Sequence, residues 1–153
     1  MEESYRIHET MAPGEKVVEM HRGANWFYYV AILAALNSIV AVFTGMFGFA
    51  LGFGISAYVD GRMLTNIGQG SDESVRWLGV AINILIAAVF AAFGYFARKG
   101  SDIAFIVGMF LYVADAMLIL MYRDVFGFAF HILALFYMFK GLLGSRKRYD
   151  PSV

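Results

Sequence analysis

The chain has 153 residues, no cysteine, and 12 basic residues balanced by 12 acidic ones. Hydrophobic residues make up 60% of it, against roughly 45–50% in soluble domains, and its mean hydropathy is +0.65. A soluble core of this length is too small to bury so much apolar surface, and the apolar residues fall in long uncharged blocks. The zero net charge argues against nucleic-acid binding, and the lack of cysteine excludes disulfides and thiol chemistry. The composition therefore predicts a small polytopic membrane protein.

Residues 1–23 are typical of a polar tail rather than a secretory signal, because acidic residues are spread through them and no early apolar core is present. After Pro13-Gly14, residues 15–21 predict a short interfacial helix that leads into Trp26. The tail contains His and Glu side chains, but their spacing fits neither H-x-x-x-H nor H-E-x-x-H. No metal site is therefore predicted.

Five apolar segments follow the tail, and four of them approach the ~20 residues that cross a ~30 Å hydrocarbon layer as a helix. Their residues do not alternate as the strands of a membrane barrel do, so helices must satisfy the backbone groups. The sequence predicts an all-α membrane bundle of five hydrophobic helices over residues 24–144, then a basic tail over residues 145–153. The segments are Ala24–Phe43, Met46–Val59, Arg76–Phe96, Asp102–Tyr122 and Val125–Leu143.

The second segment allows two arrangements, because it is short and rich in glycine. If it crosses, the bundle has five spans and Trp26 and Trp77 share one interfacial belt, where indole is favoured. If it is re-entrant, four spans remain and Lys and Arg divide nine against three rather than six against six, which the positive-inside rule favours. Five spans are predicted, so that cysteines at Ser4 and Ser152 would label from opposite sides. Four spans plus a re-entrant second segment are the alternative.

Ionisable residues inside a membrane are costly and are therefore candidate sites. Asp115 lies eight residues before Arg123, about 12 Å into the bilayer, and His131 lies eight residues after it, at the same depth. A hydrogen bond between Asp115 and His131 is therefore predicted. It serves either as a relay or ligand site, or as a structural bond between helices, worth about 0.6 kcal/mol on average. The predicted intramembrane polar cluster is Asp115, His131, Asn83, Asn37 and Tyr112.

Small residues in the second segment indicate close helix contacts. Gly48, Gly52 and Ser56 recur at every fourth position, which predicts packing within the bundle or self-association. At the end of this segment, Asp60 is predicted to pair at the interface with Arg62, or with Arg76 across the loop. The alternative for Asp60 and Arg62 is a gate or a contact with lipid headgroups.

A family resemblance rests on the run Arg22-Gly-Ala-Asn-Trp-Phe-Tyr, on Phe-x-x-Gly…Asp in the second segment, and on Ala104-Phe-Ile-Val-Gly-Met followed by Tyr112 and Asp115. Over about residues 22–143 the chain resembles small multi-pass bacterial inner-membrane proteins of unknown function. The resemblance implies no activity and assigns no site residue. Location in the bacterial cytoplasmic membrane is predicted, and the basic cluster at residues 146–148 predicts a cytoplasmic C-terminus.

Three functions stay open. The sequence contains no P-loop, no G-x-G-x-x-G element and no nucleophile motif, so a non-catalytic subunit or scaffold of a homo-oligomer or larger membrane complex is predicted first. The alternatives are a small transporter or channel that uses Asp115, His131 and Asn83, and a binder of lipid, quinone or pigment. No cofactor is predicted. The expected partners are membrane lipid, further copies or other membrane subunits, and not nucleic acid.

Overall fold

The computed structural model describes residues 13–44, 53–56, 58–59 and 74–148. Its long helices are α1 (Pro13–Thr44), α2 (Ser74–Arg98), α3 (Asp102–Met121) and α4 (Val125–Arg148). Each of the four is long and apolar enough to cross a membrane. The regular structure of the described residues is entirely helical, so the protein is an all-α membrane protein, as predicted.

Local sequence explains where the long helices begin and end. Pro13 opens α1, where a missing N–H costs nothing. Gly100 follows α2 with a φ of 86°, a left-handed conformation that glycine adopts freely. Ser101 and Asp124 cap α3 and α4, and each side chain accepts a hydrogen bond from the backbone N–H three residues later. The short turns between α2, α3 and α4 are therefore encoded locally.

The four long helices form a four-helix bundle. In it α1 packs against α2 and α4, and α3 packs against the same two helices. Neighbouring helices are antiparallel. Between α1 and α2, for example, Phe27 contacts Gly94 whereas Ser38, further along α1, bonds to the earlier residue Asn83. Large apolar side chains on the outer faces are exposed, as expected where a helix meets lipid.

Glycines allow the helices to approach closely. A β-carbon built on Gly141 of α4 would lie 2.6 Å from the Cα of Gly23 in α1, so these two backbones touch. In the middle of the bundle, the ring of Phe27 fills the space above Gly108 of α3 and is fully buried. Close contact of this kind compensates for the weak hydrophobic drive between helices in lipid.

The direction of the helices corrects the predicted number of spans. Five crossings would make α1 and α2 parallel, because one crossing would separate them. They are antiparallel, so Thr44 and Ser74 lie at the same end of the bundle. The five-span arrangement is therefore wrong, and the alternative of four spans fits the described helices. Most of the second segment, including Gly48, Gly52, Asp60 and Arg62, lies outside the described residues.

The positions of the basic residues agree with four spans. We call the end that holds the start of α1, the α2–α3 turn and the end of α4 the basic end. Among the described residues eight basic ones lie at this end and two, Arg76 and Arg123, lie at the opposite end. Trp26 and Trp77 consequently do not share a belt. Trp26 is half-buried near the basic end, and Trp77 is 58% exposed towards the opposite end.

The segment predicted to be a short interfacial helix is helical. Residues 15–21 are the first turns of α1, which runs without interruption from Pro13 through Trp26. They are held there by the last turns of α4. A β-carbon on Gly144 would lie 2.9 Å from the Lys16 carbonyl oxygen and 3.0 Å from the Met20 nitrogen.

Single-cysteine labelling tests the topology. The native chain has no cysteine, so Gly14→Cys and Arg146→Cys are each expected to react with a membrane-impermeant maleimide from the same side of sealed vesicles. Arg123→Cys, in the turn at the opposite end, is the control and is expected to react only from the other side. Labelling of positions 14 and 146 from opposite sides would restore the five-span arrangement.

Candidate functional site

The predicted pair of Asp115 and His131 is present inside the bundle. Asp115 on α3 and His131 on α4 are 5% and 0% exposed, and His131 Nε2 lies 2.9 Å from Asp115 Oδ2. The two residues meet because α3 and α4 are antiparallel and each residue is eight positions from their common turn. The predicted hydrogen bond is confirmed.

A piece of the second segment provides two further donors to the same carboxylate. We call residues 53–56 the inserted segment. The backbone N–H of Gly54 donates to Asp115 Oδ2 at 2.8 Å, and that of Ile55 donates to Oδ1 at 2.9 Å. Phe53 is not helical and residues 54–56 are, so these donors belong to the first turn of a helical stretch, where N–H groups lack partners within the helix. A carboxylate from another helix therefore caps this turn.

Gly54 is required by the close approach of the inserted segment to α3. A β-carbon at this position would lie 3.0 Å from the Asp115 carbonyl oxygen and 3.0 Å from a side-chain carbon of Ile119. With a larger residue, the two backbone N–H groups would be pushed away from the carboxylate. The glycine is therefore part of the site.

The hydrogen bonds of His131 fix the number of protons in the pair. His131 Nδ1 lies 2.7 Å from the carbonyl oxygen of Gly127, which can only accept, so Nδ1 carries a hydrogen. The contact between Nε2 and Asp115 then needs one more proton. It lies on Nε2 if Asp115 is ionised, or on Asp115 if the imidazole is neutral. The pair therefore shares one proton and has no net charge in either form.

Changing the proton count would break this arrangement. A second proton would place an O–H on Asp115, although the three groups around its carboxylate are all donors: two backbone N–H groups and Nε2–H. With the shared proton removed, Nε2 and Oδ2 would present lone pairs to each other. A second proton thus weakens the bonds between Asp115 and the inserted segment, whereas loss of the shared proton breaks only the bond between Asp115 and His131.

Aromatic rings enclose the pair. Tyr112, 1% exposed and one turn before Asp115, stacks on the His131 ring with 4.4 Å between ring centroids and 14° between ring planes. Phe53 packs against Phe90 of α2 at 4.3 Å and against the edge of Tyr112 at 6.0 Å. The pair thus lies in an apolar setting, where hydrogen bonds and unpaired polar groups both count for more than in water.

The other members of the predicted cluster lie elsewhere or have other contacts. Asn83 Nδ2 donates to Ser38 Oγ at 2.7 Å, which links α2 to α1, and both residues are fully buried. Asn37 Oδ1 is buried and has no hydrogen-bond partner within the described ranges. The same is true of Ser56 Oγ at the end of the inserted segment. Of the predicted cluster members other than Asp115, Tyr112 is the one whose contact with His131 is described, through stacking of the two rings.

Sequence reasoning missed the backbone partners of the pair. Gly54, Ile55 and Gly127 contribute N–H or carbonyl groups, which no residue type reveals. Ser38 could have been found as a small polar residue at the depth of Asn83. In the described part of the chain there is no group of three or more His, Cys, Asp or Glu residues that could hold a metal ion.

Comparison of the chain with protein-family models, with curated proteins and with solved structures finds no match. The resemblance to bacterial inner-membrane proteins stays a prediction.

Proposed function

We propose that this membrane protein is a small proton-coupled transporter or channel in which Asp115 and His131 bind and release the proton. The observation that carries the proposal is the carboxylate of Asp115, which accepts bonds from His131 and from the first turn of the inserted segment at once. An ionisable group that binds the first N–H groups of a helical stretch at membrane depth is a feature of proton and ion pathways.

A change in the number of protons on Asp115 and His131 is expected to move the inserted segment. Both carboxylate oxygens of Asp115 are occupied by the inserted segment, and one of them also by His131. When a second proton arrives, the resulting O–H on Asp115 meets only donors, so the His131 bond and the two backbone bonds can no longer be satisfied together. Release of residues 53–56 from α3 is the expected response, and it would open a path beside the pair.

Proton flux into vesicles tests the proposal. Purified protein is reconstituted with a pH-sensitive dye inside, and a potassium diffusion potential is applied with valinomycin. Wild-type protein is expected to carry protons, and Asp115→Asn and His131→Gln are expected to fall to the level of protein-free vesicles. Asp124→Asn, which keeps the cap of α4, is the matched control and should keep the flux. Wild-type flux equal to that of empty vesicles, or variant flux equal to wild type, would overturn the proposal.

A second candidate is a non-catalytic subunit or scaffold of a homo-oligomer or larger membrane complex. It is favoured by the full use of both Asp115 oxygens, which is also what a purely structural bond between helices requires. Native mass spectrometry of gently extracted protein separates the candidates. Stoichiometric co-purification with other chains, together with no flux, supports the subunit, whereas flux from the protein alone supports the transporter.

The proposal includes an orientation. The basic end carries the N-terminus of α1 and the C-terminus of α4, and basic residues favour the cytoplasmic side of a membrane. We therefore place the C-terminus in the cytoplasm, in the cytoplasmic membrane of a bacterium. Protons would then enter or leave the pair from the opposite end, which is closer to Asp115.

A further inference from the structure

We propose that the groove between α1 and α4 at the basic end binds the phosphodiester headgroup of an anionic phospholipid. The groove is lined by Glu19, Arg22 and Gly23 of α1 and by Tyr137 and Lys140 of α4. The groove lies between α1 and α4, whereas Asp115 and His131 lie on α3 and α4. The two proposals therefore stand or fall separately.

The shape of the groove follows from two glycines. Gly23 and Gly141 bring the backbones of α1 and α4 into contact, and Gly23, which has no side chain, leaves a gap in the lining of the groove. The longer side chains of Arg22 and Lys140 then stand on either side of this gap. A lipid phosphate can approach the backbone of α1 at Gly23 through this gap.

The charges of the lining suit a phosphodiester. Arg22 and Lys140 are exposed, and neither forms an ion pair within the part of the chain that the structure describes. With Glu19 the lining has a net charge of +1, and a phosphodiester has a charge of −1. Glu19 can accept hydrogen bonds from headgroup hydroxyls. Basic pockets between membrane helices on the cytoplasmic side are suited to anionic lipids.

Aromatic residues hold the groove in place at the depth of the headgroups. Tyr137 stacks flat on Trp26, with 4.9 Å between ring centroids and 6° between ring planes, so its hydroxyl has a fixed position. The ammonium of Lys140 lies 5.4 Å from the centre of the Phe136 ring, which keeps the charge beside the lipid-facing surface. Trp and Tyr are favoured at this level of a bilayer.

Lipid retention tests the inference. Protein is reconstituted with equal amounts of phosphatidylglycerol and phosphatidylethanolamine, extracted gently, and examined by native mass spectrometry. The wild type is expected to retain phosphatidylglycerol preferentially. Arg22→Gln/Lys140→Gln is expected to retain it about thirtyfold more weakly, the loss expected for two cations near a charged surface. The control Arg98→Gln/Lys99→Gln removes the same charge at the same end, on the α2–α3 side, and should keep the preference.

Four results would overturn the inference: equal retention of the two lipids by the wild type, unchanged retention by Arg22→Gln/Lys140→Gln, an equal loss in the control, or displacement of the lipid by millimolar inorganic phosphate. The last result would identify a site for a free anion. If Arg22→Gln/Lys140→Gln does not fold, Arg22→Lys/Lys140→Arg decides. It keeps both charges and is expected to keep the lipid, and a folded exchange variant without the lipid would also overturn the inference.

Discussion

Replacing Asp115 by Ala is expected to lower the free energy of unfolding by about 1–3 kcal/mol, the cost of leaving buried hydrogen-bonding groups without their partner. The substitution removes the acceptor of three hydrogen bonds, from Gly54, Ile55 and His131. All three donors would stay within the apolar interior, where an unpaired polar group is costly. The measurement is equilibrium unfolding of the purified protein in detergent, followed by circular dichroism.

Val113→Ala is the matched control for Asp115→Ala. Val113 lies on the same helix but faces outward, so its truncation creates no buried unpaired group. It is expected to change the free energy of unfolding far less. An Asp115→Ala variant that is as stable as Val113→Ala would show that the carboxylate does not hold the inserted segment. It would also remove the structural basis of the proposed function.

Gly141→Ala is expected to destabilise the protein by about 1–3 kcal/mol, the usual cost of overpacking a close contact. The added methyl group would lie 2.6 Å from the Cα of Gly23 and 2.9 Å from the ring of Phe105. A backbone atom cannot turn aside as a flexible side chain can, so α1 and α4 must move apart. The fall in unfolding free energy is measured in the same detergent system.

Gly14→Ala is the control for Gly141→Ala, because a β-carbon at Gly14 meets no atom within 4 Å. Alanine is favoured over glycine in a helix by roughly 0.5–1 kcal/mol, so this variant is expected to be neutral or slightly stabilising. If both alanine variants behave alike, the contact between Gly23 and Gly141 does not limit the packing of the bundle.

Much of this structure could be predicted from hydropathy and chain direction. Long uncharged blocks require helices in lipid, and an antiparallel hairpin places residues at equal distances from its turn at equal depth. The equal distances of Asp115 and His131 from their common turn therefore predicted that the two residues lie opposite each other. It did not settle which polar groups meet between other helices, since Asn83 and Ser38 pair through a rotation of α1 against α2 that hydropathy does not encode.

The topology was mispredicted because two signals conflicted. The positions of Trp26 and Trp77 favoured five spans, whereas the distribution of Lys and Arg favoured four. Trp26 proves to be a packing residue, stacked on Tyr137 between two helices, so its place in the sequence says little about a shared interface. The donors from the inserted segment were unpredictable for another reason: backbone N–H groups are common to almost every residue.

The contact between Gly23 and Gly141 also bears on how the protein is made. The two glycines are 118 residues apart in the sequence. At about 5–20 residues per second, Gly23 of α1 therefore leaves the ribosome roughly 6–24 s before Gly141, the α4 residue that will cover it. During this time the Gly23 face of α1 contacts lipid or the insertion machinery. Packing of α1 against α4 can therefore begin only after α4 has been made. A nascent chain that stalls before α4 would leave this surface open to a neighbouring chain.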